Sequence, residues 1–166
     1  MNQKLFLYGA ISGAVTITVM ITALEMGYSS MWLGFLTMLI ALSCIFVAIK
    51  QKKENELGGL ITFKQAFSTG ISIALVATGM YVFLWDFYLY MTDFRFLDLY
   101  SHAIMADAIS NGSTDAEIAQ LEQNMAKFSE QYYDPMFRLP MTATEIFPIG
   151  ALIALVSALV LKNHKS

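Results

Sequence analysis

The chain has 166 residues, of which 57% are apolar or aromatic and only 14% charged, against about 25% charged in an ordinary soluble domain. Its mean hydropathy of +0.56 excludes a disordered chain, and its single cysteine, Cys44, excludes an intrachain disulfide scaffold. A formal charge of −3 offers no basic surface for nucleic acid, so the composition points to a small integral membrane protein.

A membrane-crossing helix needs roughly 20 apolar residues. The first run, residues 5–24, meets this without a charge. It reads as an uncleaved span, because it exceeds the usual signal-peptide core of about 7–15 residues and no small-x-small cleavage site follows. Gly9 and Gly13, with Ala10 and Ala14 beside them, give this span a stripe for close packing against a neighbouring helix. That neighbour is expected within the chain, with a second copy as the alternative. Met26-Gly27-Tyr28-Ser29-Ser30 then turns the chain into a second run, residues 31–49, where Cys44 sits as a small hydrophobe.

The following loop is basic and ends in Gly58-Gly59, a pair suited to a tight backbone turn. It lacks the spacing of a phosphate-binding loop. Thr62 and Gln65, with Phe63 between them, form a capping-box pattern that is expected to start the third helix, whose apolar run covers residues 66–89. Residues 91–141 are the sizeable polar stretch. Leu97, Tyr100, Ile104 and Ala108 recur at helical spacing up to Asn111-Gly112, a stop signal. Thr114-x-x-Glu117 opens a second helix with Ile118, Leu121, Met125 and Phe128 on one face. The two read as a helical hairpin whose apolar stripe is expected to pack arm on arm, with the membrane surface or a partner chain as the alternatives. Tyr132-Tyr133-Asp134-Pro135 and Pro140 are expected to break helix, and the fourth span covers residues 144–161, opened by Thr142-x-x-Glu145 as a further capping box.

Charge orients these spans. Lys4, Lys50, Lys52, Lys53, Lys64, Lys162 and Lys165 fall on one side with Glu54 and Glu56. Arg95, Lys127 and Arg138 fall on the other with the remaining eleven acids. Because basic residues collect in cytoplasmic loops, both termini are expected in the cytoplasm and the helical hairpin outside. The fold class is therefore all-α: residues 1–166 as a single four-span membrane domain, with an extracytoplasmic hairpin between the third and fourth spans. Trp32, Trp85, Tyr28, Tyr88 and Tyr90 fall near the outer interface, where aromatic rings with polar tips match the headgroup region.

Chemistry-bearing residues are sparse. Glu25, Asp86 and Glu145 fall at a similar depth near the outer boundary and are the candidate functional carboxylates, since ionisable groups in a membrane are costly to bury. Three acids could hold a cation or carry protons. The competing expectation places them in the headgroup zone, solvated or paired with Arg95 or Arg138. His102 and His164 lie on opposite sides and cannot share a metal, and no metalloprotease or nucleophile-elbow motif occurs. Neither a cofactor nor a metal is expected. The hydroxyls of Ser12, Thr16, Thr18, Thr22, Thr37 and Ser43 are expected to bond helix carbonyls rather than line a water path.

Several stretches carry a family resemblance. E-L-G-G-L-I-T-F-K-Q-A-F-S-T-G (Glu56 to Gly70), M-A-K-F-S-E-Q-Y-Y-D-P-M-F (Met125 to Phe137) and T-E-I-F-P-I-G (Thr144 to Gly150, with Pro148) occur in this order. Together they resemble the uncharacterised bacterial membrane family known as domain of unknown function 4199. Leu60 and Thr62 stand where that family often has Phe and Ser. The resemblance implies four spans and a bacterial inner membrane location, and it implies no activity. The expected role is a non-catalytic structural or assembly component, embedded in the lipid bilayer, that associates with itself or a membrane-protein partner through the hairpin. The alternatives are a small transporter or ion-conducting unit using Glu25, Asp86 and Glu145, and an envelope- or lipid-modifying enzyme.

Overall fold

The computed structural model describes residues 3–27 and 31–163, so Tyr28, Ser29 and Ser30 of the first turn, and His164 and Lys165, lie outside the described residues. Among the described residues the regular elements are all helical: α1 (Gln3–Glu25), α2 (Met31–Leu42), α3 (Cys44–Asn55), α4 (Phe63–Met91), α5 (Arg95–Ser110), α6 (Asp115–Tyr132) and α7 (Pro135–Leu161). Four stretches are long and apolar enough to cross a bilayer: α1, the Gly34–Asn55 run through α2 and α3, α4 and α7. The interruption inside the second stretch is one residue wide. The Ser43 hydroxyl donates to the Ile40 carbonyl at 2.6 Å, while the Ser43 N–H still reaches Leu39 O at 3.0 Å. A serine hydroxyl bonding back this way competes with the helix ladder and bends it.

The chain divides into two compact units, one of Met1–Leu84 and Ala143–Ser166, the other of Trp85–Thr142. In the first unit the helices meet through small residues. A Cβ added at Gly9 would lie 2.7 Å from Ile73 O, and one at Gly13 would collide with the Ala77 carbonyl, so α1 lies backbone-close on α4. Gly70 meets Ala154, and Gly150 meets Ala74, which brings α4 equally close to α7. Ile17, Leu42, Ile45, Ile49 and Ile73 fill the core. Three of its buried hydroxyls bond within their own helices: Ser12 donates to Gly9 O at 3.0 Å, Thr16 to Ser12 O at 2.8 Å and Thr78 to Ala74 O at 2.8 Å.

One end of this unit is tied by specific contacts. Gly58 and Gly59 adopt φ of +60° and +86°, the left-handed turn that glycine permits after α3. Thr62 N–H donates to Gln65 Oε1 at 3.0 Å and Gln65 N–H to Thr62 Oγ1 at 3.3 Å, the reciprocal box that opens α4 at Phe63. Ile61 and Asn163 exchange two bonds, Ile61 N–H to Asn163 Oδ1 at 2.8 Å and Asn163 N–H to Ile61 O at 3.0 Å. Lys53 Nζ donates to Leu161 O at 2.9 Å, placing a cation on the last carbonyls of α7.

The second unit is built on large rings. Leu89, Phe94, Leu97 and Tyr132 are buried, with Trp85, Phe96 and Phe128 packed against them. Trp85 meets Phe96 edge-on at 5.0 Å and donates its indole N–H to the Tyr132 hydroxyl at 2.9 Å. Helices α5 and α6 pack on each other, with Tyr100 and Phe128 rings 5.8 Å apart. Ile118, Leu121, Met125 and Phe128 of the α6 stripe are half-buried. Thr114 and Glu117 complete the box that opens α6, the carboxylate accepting from the Thr114 N–H and hydroxyl at 2.8 Å.

The start of α7 corrects two expectations. The helix begins at Pro135, not near residue 144, and runs through Pro140 and Pro148. Asp134 Oδ1 accepts from Met136 N–H at 2.9 Å, and Pro135 sits in the first turn, where its missing N–H has no intrahelical partner to lose. Proline further inside is tolerated in apolar spans packed against neighbours. Consequently Thr142 is no helix cap. Its hydroxyl donates to Arg138 O at 3.0 Å, and Glu145 is turned to another partner.

Candidate functional site

The chemistry-bearing residues separate between the two units. In the second, Asp86 stands late in α4 and Arg138 one turn into α7. Arg138 is 1% exposed, although it is the largest fully buried side chain described. Burying a guanidinium costs several kcal/mol unless its donors are matched, and here they are. Nε and Nη2 both lie 2.7 Å from Asp86 Oδ1. Nη1 donates to the Tyr132 and Tyr133 carbonyls at 2.9 and 3.1 Å. Those carbonyls belong to the end of α6, where the helix leaves acceptors without intrahelical donors. The Arg138 cation therefore neutralises Asp86 and caps α6 at once, which suits the negative end of that helix.

Aromatic faces close the remaining sides. The guanidinium carbon lies 5.1 Å from the Phe94 ring centre and 5.5 Å from that of Tyr90, within cation–π range. Phe94 reaches this position through an unusual backbone: Asp93 and Phe94 have φ of +50° and +57°. Such left-handed residues cost about 1–2 kcal/mol each when they carry a Cβ. The burial of the Phe94 ring and its 4.6 Å approach to Tyr133 offset that strain.

In the first unit, Glu145 accepts a hydrogen bond from the Tyr81 hydroxyl at 3.1 Å, and Tyr81 is itself buried. Glu25 is the last residue of α1 and exposed. Asp86 and Glu145 thus have different partners, Arg138 and Tyr81, in different units. No group of three or more His, Cys, Asp or Glu able to hold a metal occurs among the described residues. His102 is exposed on α5, and Cys44 Sγ lies 3.8 Å from Tyr8 O.

Arg138 is one of the two partners expected for the acids; its second role as the cap of α6, and the rings enclosing it, have no counterpart in the sequence pattern. A lone arginine and a lone aspartate, each at the edge of an apolar run, were the signal that could have found the pair. The Tyr81–Glu145 contact had none, because tyrosine in an apolar helix is ordinary. Trp85, Tyr88 and Tyr90, read as interface residues, also belong to the aromatic packing: Trp85 stacks on Tyr88 at 5.4 Å, and Tyr90 meets Phe94 edge-on at 5.4 Å.

The model of the family described as a protein of unknown function (DUF4199) matches residues 6–163, nearly the whole chain. No curated protein and no solved structure matches it. With its four apolar helices in place and the family match running from the first to the last of them, the chain belongs to the DUF4199 family.

Proposed function

We propose that this chain is a multi-pass component of the bacterial cytoplasmic membrane with both termini in the cytoplasm. In this reading α5 and α6 form a helical hairpin on the outer side, and the protein is a non-catalytic assembly or accessory factor. The distribution of Lys and Arg supports the orientation. The single observation that carries the role is the state of the suspect carboxylate: Asp86 is spent on an arginine that is 1% exposed and itself fully hydrogen-bonded. A carboxylate neutralised in this way supports architecture and has little affinity left for a passing cation. Partners would then meet the protein through the outer helices.

The test is cross-linking in native membranes from a photoreactive residue at Glu122 on α6. Capture of a second copy or of a defined membrane protein is the expected outcome. Recovery of monomer alone overturns the role. A second reading, a proton- or ion-conducting unit, is favoured by one contact, the Glu145 carboxylate held by Tyr81 within an apolar helix. Liposome flux that falls in Glu145→Gln would replace the first reading with this one.

A further inference from the structure

A groove between α1 and α3 combines a polar head with an apolar wall. It has a volume of about 360 Å³ and is lined by Lys4, Leu7, Tyr8, Ile11 and Gln51, within the roughly 300–1,000 Å³ typical of small-molecule sites. Lys4 and Gln51 stand near one end of their spans, in the first turn of α1 and the last two turns of α3. The Tyr8 hydroxyl donates to Gln51 Oε1 at 2.9 Å, which fixes the amide and turns its N–H₂ side into the donor end. Leu7 and Ile11, one helical turn apart, continue the groove along α1 and are 56% and 53% exposed. Of the lysines next to Gln51 in sequence, Lys50 pairs with Glu54 at 3.9 Å and Lys52 and Lys53 reach Thr69 and Leu161, so Lys4 is the cation that lines the groove.

We propose that this groove binds one anionic phospholipid, its headgroup phosphate on Lys4 and the Gln51 amide and the start of one acyl chain along Leu7 and Ile11. Charge complementarity selects the occupant. Basic pockets between spans on the cytoplasmic side take anionic headgroups, and each lysine near the surface contributes about 1 kcal/mol to that attraction. A zwitterionic lipid brings no net charge to Lys4. A soluble phosphate leaves the apolar wall uncovered. The inference rests on the membrane reading above and adds a ligand class to it.

The test uses the full chain, purified in mild detergent and examined by native mass spectrometry with added phosphatidylglycerol, phosphatidylcholine or glycerol phosphate. Phosphatidylglycerol should be retained at least fivefold over phosphatidylcholine, and glycerol phosphate should not compete. Lys4→Gln should lower that retention about fivefold and Lys4→Gln with Gln51→Leu further, while Lys127→Gln on α6, which removes the same charge elsewhere, leaves it unchanged. Equal retention of the two lipids, full competition by glycerol phosphate, or undiminished binding in the double variant overturns the site. Each variant is first checked for a monodisperse elution profile, and Gln51→Leu alone serves if Lys4→Gln fails to assemble. Fractionation of the same cells separates the two failures. Protein absent from the membrane fraction defeats the membrane reading, whereas protein present there without a lipid preference defeats this inference alone.

Discussion

The two compact units close their helix packing by opposite means. In the first, side chains are removed where helices meet: Gly9 and Gly13 against α4, Gly70 and Gly150 against the α7 and α4 alanines. The buried Ser12, Thr16 and Thr78 hydroxyls there bond within their own helix. In the second, side chains are large and one of them is charged: among the described residues, the ring contacts other than Phe63 on Phe67 all join residues between Trp85 and Phe137. The difference follows from what each unit has to bury. Long apolar helices gain nothing from hydrophobic association in lipid and hold together by close contact. Shorter, half-polar helices such as α5 and α6 have a narrow apolar face, and aromatic rings bury the most area from the fewest positions.

This contrast can be broken from either side. The largest effect is expected for Asp86→Ala, which leaves the Arg138 cation enclosed without its counter-charge. Removing one partner of a buried pair costs about 3–5 kcal/mol. Hydrogen exchange should show α5, α6 and the start of α7 losing protection while the α1 amides keep theirs. Loss of protection in α1 to the same extent would mean that the two units do not differ in what stabilises them.

A smaller and complementary effect is expected for Gly13→Leu. The added side chain meets the Ala77 carbonyl, and backbone cannot swing aside as a flexible side chain does. Overpacking of this kind costs about 1–3 kcal/mol, read as a lower detergent-unfolding midpoint with protection lost in α1 and α4 around Ala77. An unchanged midpoint would show that α1 does not depend on close approach.

The smallest effect concerns the tip of the second unit. Hydrogen bonds from the Thr114 N–H and hydroxyl hold the Glu117 carboxyl below the usual glutamate range. A group depressed on folding stabilises the fold above its unfolded value, and the contribution disappears as pH falls through the folded one. The first turn of α6 should therefore fray only below the ordinary carboxylate range. Amide exchange at Glu117 measured down to pH 3 checks this, with Glu117→Gln, which keeps the box without titrating, expected to show no such pH dependence.

Much of this architecture was legible along the chain. The four apolar runs, the Thr62–Gln65 and Thr114–Glu117 boxes and the stop at Asn111-Gly112 are local features, each set by residues within a turn or two of one another. The same local logic failed at α7. Asp134-Pro135 reads equally well as the end of one helix or the beginning of the next, and only the Met136 N–H on Asp134 decides for a beginning. Thr142-x-x-Glu145 matched a capping box by spacing, but spacing cannot tell that the helix is already under way and that Tyr81 has taken the carboxylate.

By itself the sequence determined the small charge of −3 to be the sum of a basic set and an acidic set parted by apolar runs, and hence a membrane-compatible, all-helical chain. Periodicity and composition suffice for that, because each run answers to its solvent independently of the others. Which acid meets which partner was decided by tertiary structure alone. Asp86 and Arg138 are 52 positions apart and Tyr81 and Glu145 are 64 apart. Contacts at such separations depend on how α4 and α7 are rotated about their own axes, and that rotation is fixed by the packing of many small residues at once rather than by any local signal.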